Sequence, residues 1–288
     1  MAQRIKWIDQ AKGLAILMVI AVHVSQALPL PPMVKLIASF GAMGVQLFFV
    51  LSAYCLCMTN SGATWSLNYL KRKYRRLIPW YLFGIALYFC YWLWRGDISA
   101  YTPRNVLLNM LLVNGFVPSA QNAIVPGGWS ISCIALFALF FPLFRDMKSL
   151  GLLALGAIGV AISVIGYHWL GWTRFFAYCC PTNQLCAFVI GVVFWRYRNR
   201  VQSCTMSSCF CLGGMCLVGG VLAVLLDRAN AIFYRHILMS ISFVCGLAVL
   251  QRRPFGVGGC SLEFMGKYSY EIFITHFFVI WVLRDMFS

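Results

Sequence analysis

Asp9, Lys12 and His23 lie in one apolar segment near the start of the chain, Asp9-Gln-Ala-Lys12-Gly-Leu-Ala-Ile-Leu-Met-Val-Ile-Ala-Val-His23. At 100° per residue, the eleven steps from Lys12 to His23 leave roughly 20° after whole turns, so both project from nearly one helix face. At 1.5 Å per residue they stand about 16 Å apart, roughly half the thickness of a hydrocarbon core. Asp9 falls on the same face, about 40° to the other side of His23. Burying an ionisable group at that depth is costly, which makes His23 a functional candidate by default. The competing reading is a histidine that hydrogen-bonds a neighbouring helix and only packs.

Three further patterns carry candidate chemistry. In Gly44-Val-Gln-Leu-Phe-Phe-Val-Leu-Ser52, Gln46 and Ser52 are placed to line a polar interior; the plainer reading is packing surface. Lys71-Arg-Lys-Tyr-Arg-Arg76 sets five cations in six positions before Pro79. Such a run serves as a topology signal and headgroup contact, or as a polyanion site, since Arg72, Lys73, Arg75 and Arg76 suit the pyrophosphate and 3′-phosphate of a coenzyme A. Pro126-Gly-Gly-Trp129-Ser130-Ile131 opens another apolar run, where Trp129 serves an interior or an interfacial belt.

The elements that hold these residues are membrane spans. Hydrophobic residues make up 61% of the 288 and charged residues 10%, against about 25% charged in soluble domains. Apolar runs near 11–28, 41–58, 77–94, 129–144, 149–167, 175–195, 208–226, 232–250 and 268–287 predict an all-α polytopic transmembrane bundle of about nine spans, read as a single integral domain over 1–288. The piece 105–117 is too short to span and is expected at the interface or as a re-entrant segment. Arg4 and Lys6 before an apolar stretch resemble a signal peptide, but no small-residue cleavage site follows, so a retained first span is expected.

With the N-terminus in the cytoplasm, only Lys35, Arg95, Arg104, Arg174, Arg228, Arg235 and Arg284 of the 23 basic residues fall outside. That bias accounts for most of the net charge of +16, so nucleic-acid binding is not needed to explain it. The thirteen cysteines lie mostly within the spans and act there as small apolar residues. Their spacing matches no standard metal site, and no metal is expected.

Taken in order, these patterns resemble the acyltransferase 3 family of integral membrane acyltransferases. Family members open with Asp, a basic residue and a His after ten intervening residues; here these are Asp9, Lys12 and His23, with Lys in the usual place of Arg. Gly44 to Ala53 is similar to the family's Gly-Val-x-Leu-Phe-Phe-Val-Leu-Ser-Gly. Arg72 and Arg75 fit the Arg-x-x-Arg pattern, while counting back from Pro79 selects Lys73 and Arg76. Trp129-Ser130-Ile131 with Pro142 resembles a Trp-Ser-Leu segment and its downstream proline. Ser269-Tyr-Glu271-Ile-Phe-Ile-Thr-His276 resembles a late Ser-Tyr-x-Ile-Tyr-Leu-x-His. The chain departs from the pattern at Ile134, where many relatives carry Glu, and at Ala138 in place of Tyr. It also ends after the ninth span where the family usually has ten, without an appended periplasmic hydrolase-like domain.

The resemblance implies transfer of an acyl group, most often acetyl, from cytoplasmic acetyl-CoA to a hydroxyl of a cell-envelope or secreted polysaccharide at a bacterial inner membrane. It implies His23 as general base or as transient acyl carrier, two roles the sequence leaves open. Lys12 and the Arg72–Arg76 cluster would hold coenzyme A phosphates, with Asp9 pairing to Lys12 or to a cluster arginine. His276 is a second candidate. Glu271, on the same span, is a further substrate-lining candidate; it lies about 140° around the helix from His276, so the two are not expected to act as a pair on one face. The implied partners are acyl-CoA, a glycan acceptor (lipid-linked in one version) and membrane lipids. A glycan-precursor transporter would share the buried ionisable residues but usually shows repeats, and none is visible. A non-catalytic scaffold is the third reading, favoured by Ile134.

Overall fold

The computed structural model describes residues 4–59, 66–227 and 230–287, and its regular structure there is helical with no strand. Arg228 lies outside the described residues. The first helix, α1, spans Lys6–Ala27. A short α2 over Pro32–Ser39 and a 3-10 turn over Phe40–Met43 lead into α3, Gly44–Thr59. The next helix, α4, runs over Leu67–Trp94, because the basic stretch is itself helical. Lys and Arg are good helix formers, and Ser66 caps the first turn by accepting the Tyr69 N–H at 3.1 Å. The 105–117 piece becomes α5, Pro103–Met110, and a 3-10 turn over Asn114–Phe116. Eight helical residues rise only about 12 Å, so this piece does not cross a bilayer.

Helix α6 covers Gly128–Asp146 and α7 covers Ser149–Trp169. The apolar run expected over 175–195 is divided into α8, Arg174–Cys179, and α9, Pro181–Ser203. Pro181 supplies no N–H, and the residue before it, Cys180, is extended with ψ 135°. Helices α10 (Met206–Leu226), α11 (Ala231–Arg252), α12 (Gly259–Lys267) and α13 (Ser269–Phe287) complete the bundle. The helices α6 and α9 bury most of their surface and form the centre, joined to α3 through Phe49, Phe137, Phe141 and Phe188. Helices α10, α4 and α7 bury least and turn aliphatic and aromatic side chains outward.

Among the described residues, eight helical segments are long and apolar enough to cross a membrane, one fewer than expected. The difference lies at α13, which carries Glu271, Arg284 and Asp285 within 19 residues. It still runs the depth of the bundle. Its start follows α12, which lies against the first turns of α1, where the Gln10 amide donates to the Phe255 carbonyl at 2.9 Å and to Glu263 at 2.8 Å. That approach needs glycine: a Cβ on Gly266 would fall on the Asp9 carbonyl oxygen, and one on Gly13 would fall on that of Leu262. The far end of α13 reaches the end of α4, where Asp285 accepts from the Tyr91 hydroxyl at 2.8 Å and pairs with Arg95 at 3.6 Å.

The bundle therefore has a basic face, which holds Lys12, the Lys71–Arg76 run and the end of α11, and a far face, which holds Arg95 and the start of α11. On the basic face Arg252 donates to the Val201 carbonyl at 2.7 Å and to that of Gln202, and Arg196 closes the end of α6 through the Phe144 and Arg145 carbonyls at 3.0 and 2.7 Å.

Candidate active site

Helix α1 presents Lys12 to one cavity and His23 to another, three turns further along. The two imidazoles singled out in sequence, 253 positions apart, meet in the second cavity: the His23 and His276 ring centroids are 5.3 Å apart. Phe277 stacks beside both, at 4.2 Å from His23 and 4.5 Å from His276. The His276 Nδ1 lies 2.7 Å from the Phe273 carbonyl oxygen, which can only accept, so Nδ1 carries the proton and the neutral ring keeps its lone pair on Nε2. That Nε2 is buried and has no partner among the described residues. His23 is held similarly, with Nδ1 3.0 Å from the Gln26 amide oxygen.

The histidine cavity has a volume of about 590 Å³ and is walled by Trp129, Ser130, Tyr178 and Phe273. Its far mouth carries Arg174, at the first position of α8, and Arg235, one turn into α11. A smaller cavity of about 250 Å³ lies toward the basic face, lined by Lys12, Ser52, Lys73 and Arg76. The two share Val45, Ser130 and Phe273, which form a thin partition between them. Ser130 is fixed there because its hydroxyl donates to the Gly127 carbonyl at 2.8 Å. Gly127 precedes α6 at φ 78°, and its N–H donates to Asn122 at 3.0 Å. A Cβ at Gly127 would stand 3.0 Å from the Phe273 ring, so glycine both permits the left-handed turn and leaves the ring its place.

The basic run is divided by the helical period. Lys73 and Arg76, three apart on α4, reach the smaller cavity; Lys71, Arg72 and Arg75 join Arg76 around an open groove outside it. Arg76 thus borders both, so the two readings of the Arg-x-x-Arg pattern describe two adjoining surfaces. Ile134 and Ala138 also line the smaller cavity, four residues apart on α6, giving it an apolar wall at the two positions where the family resemblance implied Glu and Tyr.

Other expected residues stand elsewhere. Asp9 pairs with Arg4 at 3.3 Å rather than with Lys12 or the cluster, because the first turn of α1 turns its carboxylate toward the N-terminal segment. Gln46 lines neither cavity. It is fully buried and donates to the Gln184 side chain at 2.7 Å, and Gln184 in turn bonds the Tyr178 carbonyl at 2.5 Å and meets His236 at 3.3 Å. Gln46 therefore supports the wall behind Tyr178. Glu271, expected as a substrate-lining residue, also lines neither cavity: it projects from α13 about 140° away from His276.

Arg174 and Arg235 were not among the expected site residues. The signal available was their position: both are arginines assigned to outer segments, against the prevailing charge bias. Nothing in the sequence placed their segments beside α1.

Comparison with known families and proteins matches this arrangement to one description. The family model described as an acyltransferase domain covers residues 5–288, nearly the whole chain. No curated protein and no solved structure matches. With several membrane-spanning helices, a paired-imidazole cavity and a match along almost its full length, the chain belongs to the acyltransferase 3 family, as a multi-pass membrane acyltransferase.

Proposed function

We propose that this protein transfers an acetyl group from cytoplasmic acetyl-CoA to a hydroxyl of a cell-envelope or secreted polysaccharide, at a bacterial inner membrane with its N-terminus in the cytoplasm. The observation that carries this reading is the pair of abutting cavities, one with cations and the other with two imidazoles. Arg72, Lys73, Arg75 and Arg76, with Lys12, supply the charge that coenzyme A phosphates require. The pantetheine arm then follows α1 for the roughly 16 Å from Lys12 toward His23 and delivers the thioester at the partition.

The acceptor hydroxyl donates its proton to a free imidazole Nε2 as its oxygen attacks the thioester carbonyl carbon. The tetrahedral intermediate collapses with cleavage of the C–S bond. The proton passes from the imidazolium to the departing thiolate, so ester and coenzyme A thiol leave and the enzyme is unchanged. If His23 itself carries the acetyl group, the same balance holds in two halves: N-acetylation with release of thiol, then transfer to the hydroxyl. Asp9 and its Arg4 partner hold the first turn of α1, and so position Lys12.

His23→Ala is expected to lower transfer from radiolabelled acetyl-CoA by about 10²–10⁴-fold while leaving membrane insertion intact. Mass spectrometry of the surface glycan should show the loss of one acetyl mass per repeat. Undiminished product would remove His23 from the mechanism.

A further inference from the structure

The far mouth of the histidine cavity holds a guanidinium, that of Arg235, whose charge the donor does not account for. Arg174 and Arg235 both line it, together with the two imidazoles, and none of its described lining residues is acidic. The Arg235 Nε is buried without a hydrogen-bond partner, and no carboxylate lies within ion-pair distance of Arg235 among the described residues. It also sits on a helix apolar enough to cross a membrane. A partly desolvated guanidinium in that setting is costly unless an anion completes it.

Donor phosphates do not reach this place. Arg252, at the opposite end of the same helix, marks the basic face through its bonds to the Val201 and Gln202 carbonyls. The seventeen helical steps from Arg235 to Arg252 rise about 26 Å. A coenzyme whose phosphates rest near Lys12, Lys73 and Arg76 and whose thioester has reached the partition has no further anionic group to offer. The remaining reactant on that side is the acceptor.

We propose that Arg235, assisted by Arg174, holds an anionic group of the acceptor at the far mouth of the histidine cavity, so that the acylated molecule is a glycan bearing a carboxylate or a phosphate near the reacting hydroxyl. This rests on the acyltransferase reading and adds the acceptor's chemical class. The guanidinium fork pairs bidentately with either anion, and the distance from the fork to the imidazole pair selects which hydroxyl is presented.

The test uses the full chain in detergent and three probes that share an octyl chain: octyl glucoside, octyl glucuronide and an octyl glucoside 6-phosphate. Binding is read as the rise in unfolding midpoint, and transfer as incorporation of label from acetyl-CoA. The wild type should bind and acylate at least one charged probe about tenfold better than the neutral one, the scale expected for a charge-assisted contact. Preference for the glucuronide indicates an acidic sugar, and preference for the phosphate indicates a phosphorylated or lipid-diphosphate-linked glycan. Arg235→Gln and Arg174→Gln should reduce the charged-to-neutral ratio toward one, and Arg235→Lys should retain part of it. Equal binding of charged and neutral probes, or a ratio unchanged in Arg235→Gln, overturns the proposal. Selective binding of a charged probe without transfer from acetyl-CoA to any probe would support the anion site and instead refute the proposed acetyl transfer.

Discussion

Gly127→Ala is the substitution whose cost follows most directly from the geometry of the partition. Two penalties add. Gly127 has φ 78°, and a residue with a Cβ held in the left-handed region loses about 1–2 kcal/mol relative to glycine. The new methyl would also lie 3.0 Å from Phe273 Cζ and 3.4 Å from Cε1, so the ring must give way by a few tenths of an ångström. The ring has little room, being buried against Phe48 at 6.3 Å and His276 at 5.6 Å between centroids. Overpacking of this kind costs about 1–3 kcal/mol, which brings the expected loss to about 2–5 kcal/mol. The assay is SDS titration of the folded protein in mixed micelles, run as a double-mutant cycle with Phe273→Leu, which removes Cε and Cζ. The leucine should recover the steric share of the loss and leave the backbone share. A Gly127→Ala loss below about 1 kcal/mol, or no coupling to position 273, would refute the argument that this glycine makes room for the partition.

Neutralising Arg72, Lys73, Arg75 and Arg76 together should weaken acetyl-CoA binding. Among single changes, Arg76→Ala should raise its KM most, by about tenfold, because Arg76 borders both the groove and the smaller cavity. A change in membrane orientation with unaltered binding would assign the cluster to topology alone. A reporter fused to the C-terminus should face the opposite side from the N-terminus, because α13 leaves the basic face and ends beside Arg95; a same-side signal would contradict that path.

Much of the site was legible because its residues keep helical periods. Lys12 and His23 fall on one face of α1 by arithmetic, and the 100° step also separates Glu271 from His276. What arithmetic within a helix does not give is which faces oppose one another. His23 and His276 lie on the first and last helices, and their meeting depends on α12, seated on α1 through Gly13 and Gly266. Gln46 read as a cavity residue because polar groups in spans tend to face polar space, but a buried amide is equally satisfied by a second amide, and Gln184 supplies one. The ninth expected span kept its helix and its depth but not its apolar composition, since Glu271, Arg284 and Asp285 occupy its two ends. Arg174 and Arg235 were invisible as a pair because the break at Cys180–Pro181 and the position of α11 are tertiary facts.

The partition of Val45, Ser130 and Phe273 has a consequence for the membrane as an insulator. Two cavities that approach each other from opposite faces leave a bundle only a few side chains short of a conduit. In the proposed transfer an acyl group passes that point in every cycle, whereas protons and water must not, or an energised membrane would discharge through its own enzyme. The size of the side chain at position 273 therefore sets a compromise between turnover and leakage. A smaller residue there would widen the passage for the acyl chain at the expense of the seal.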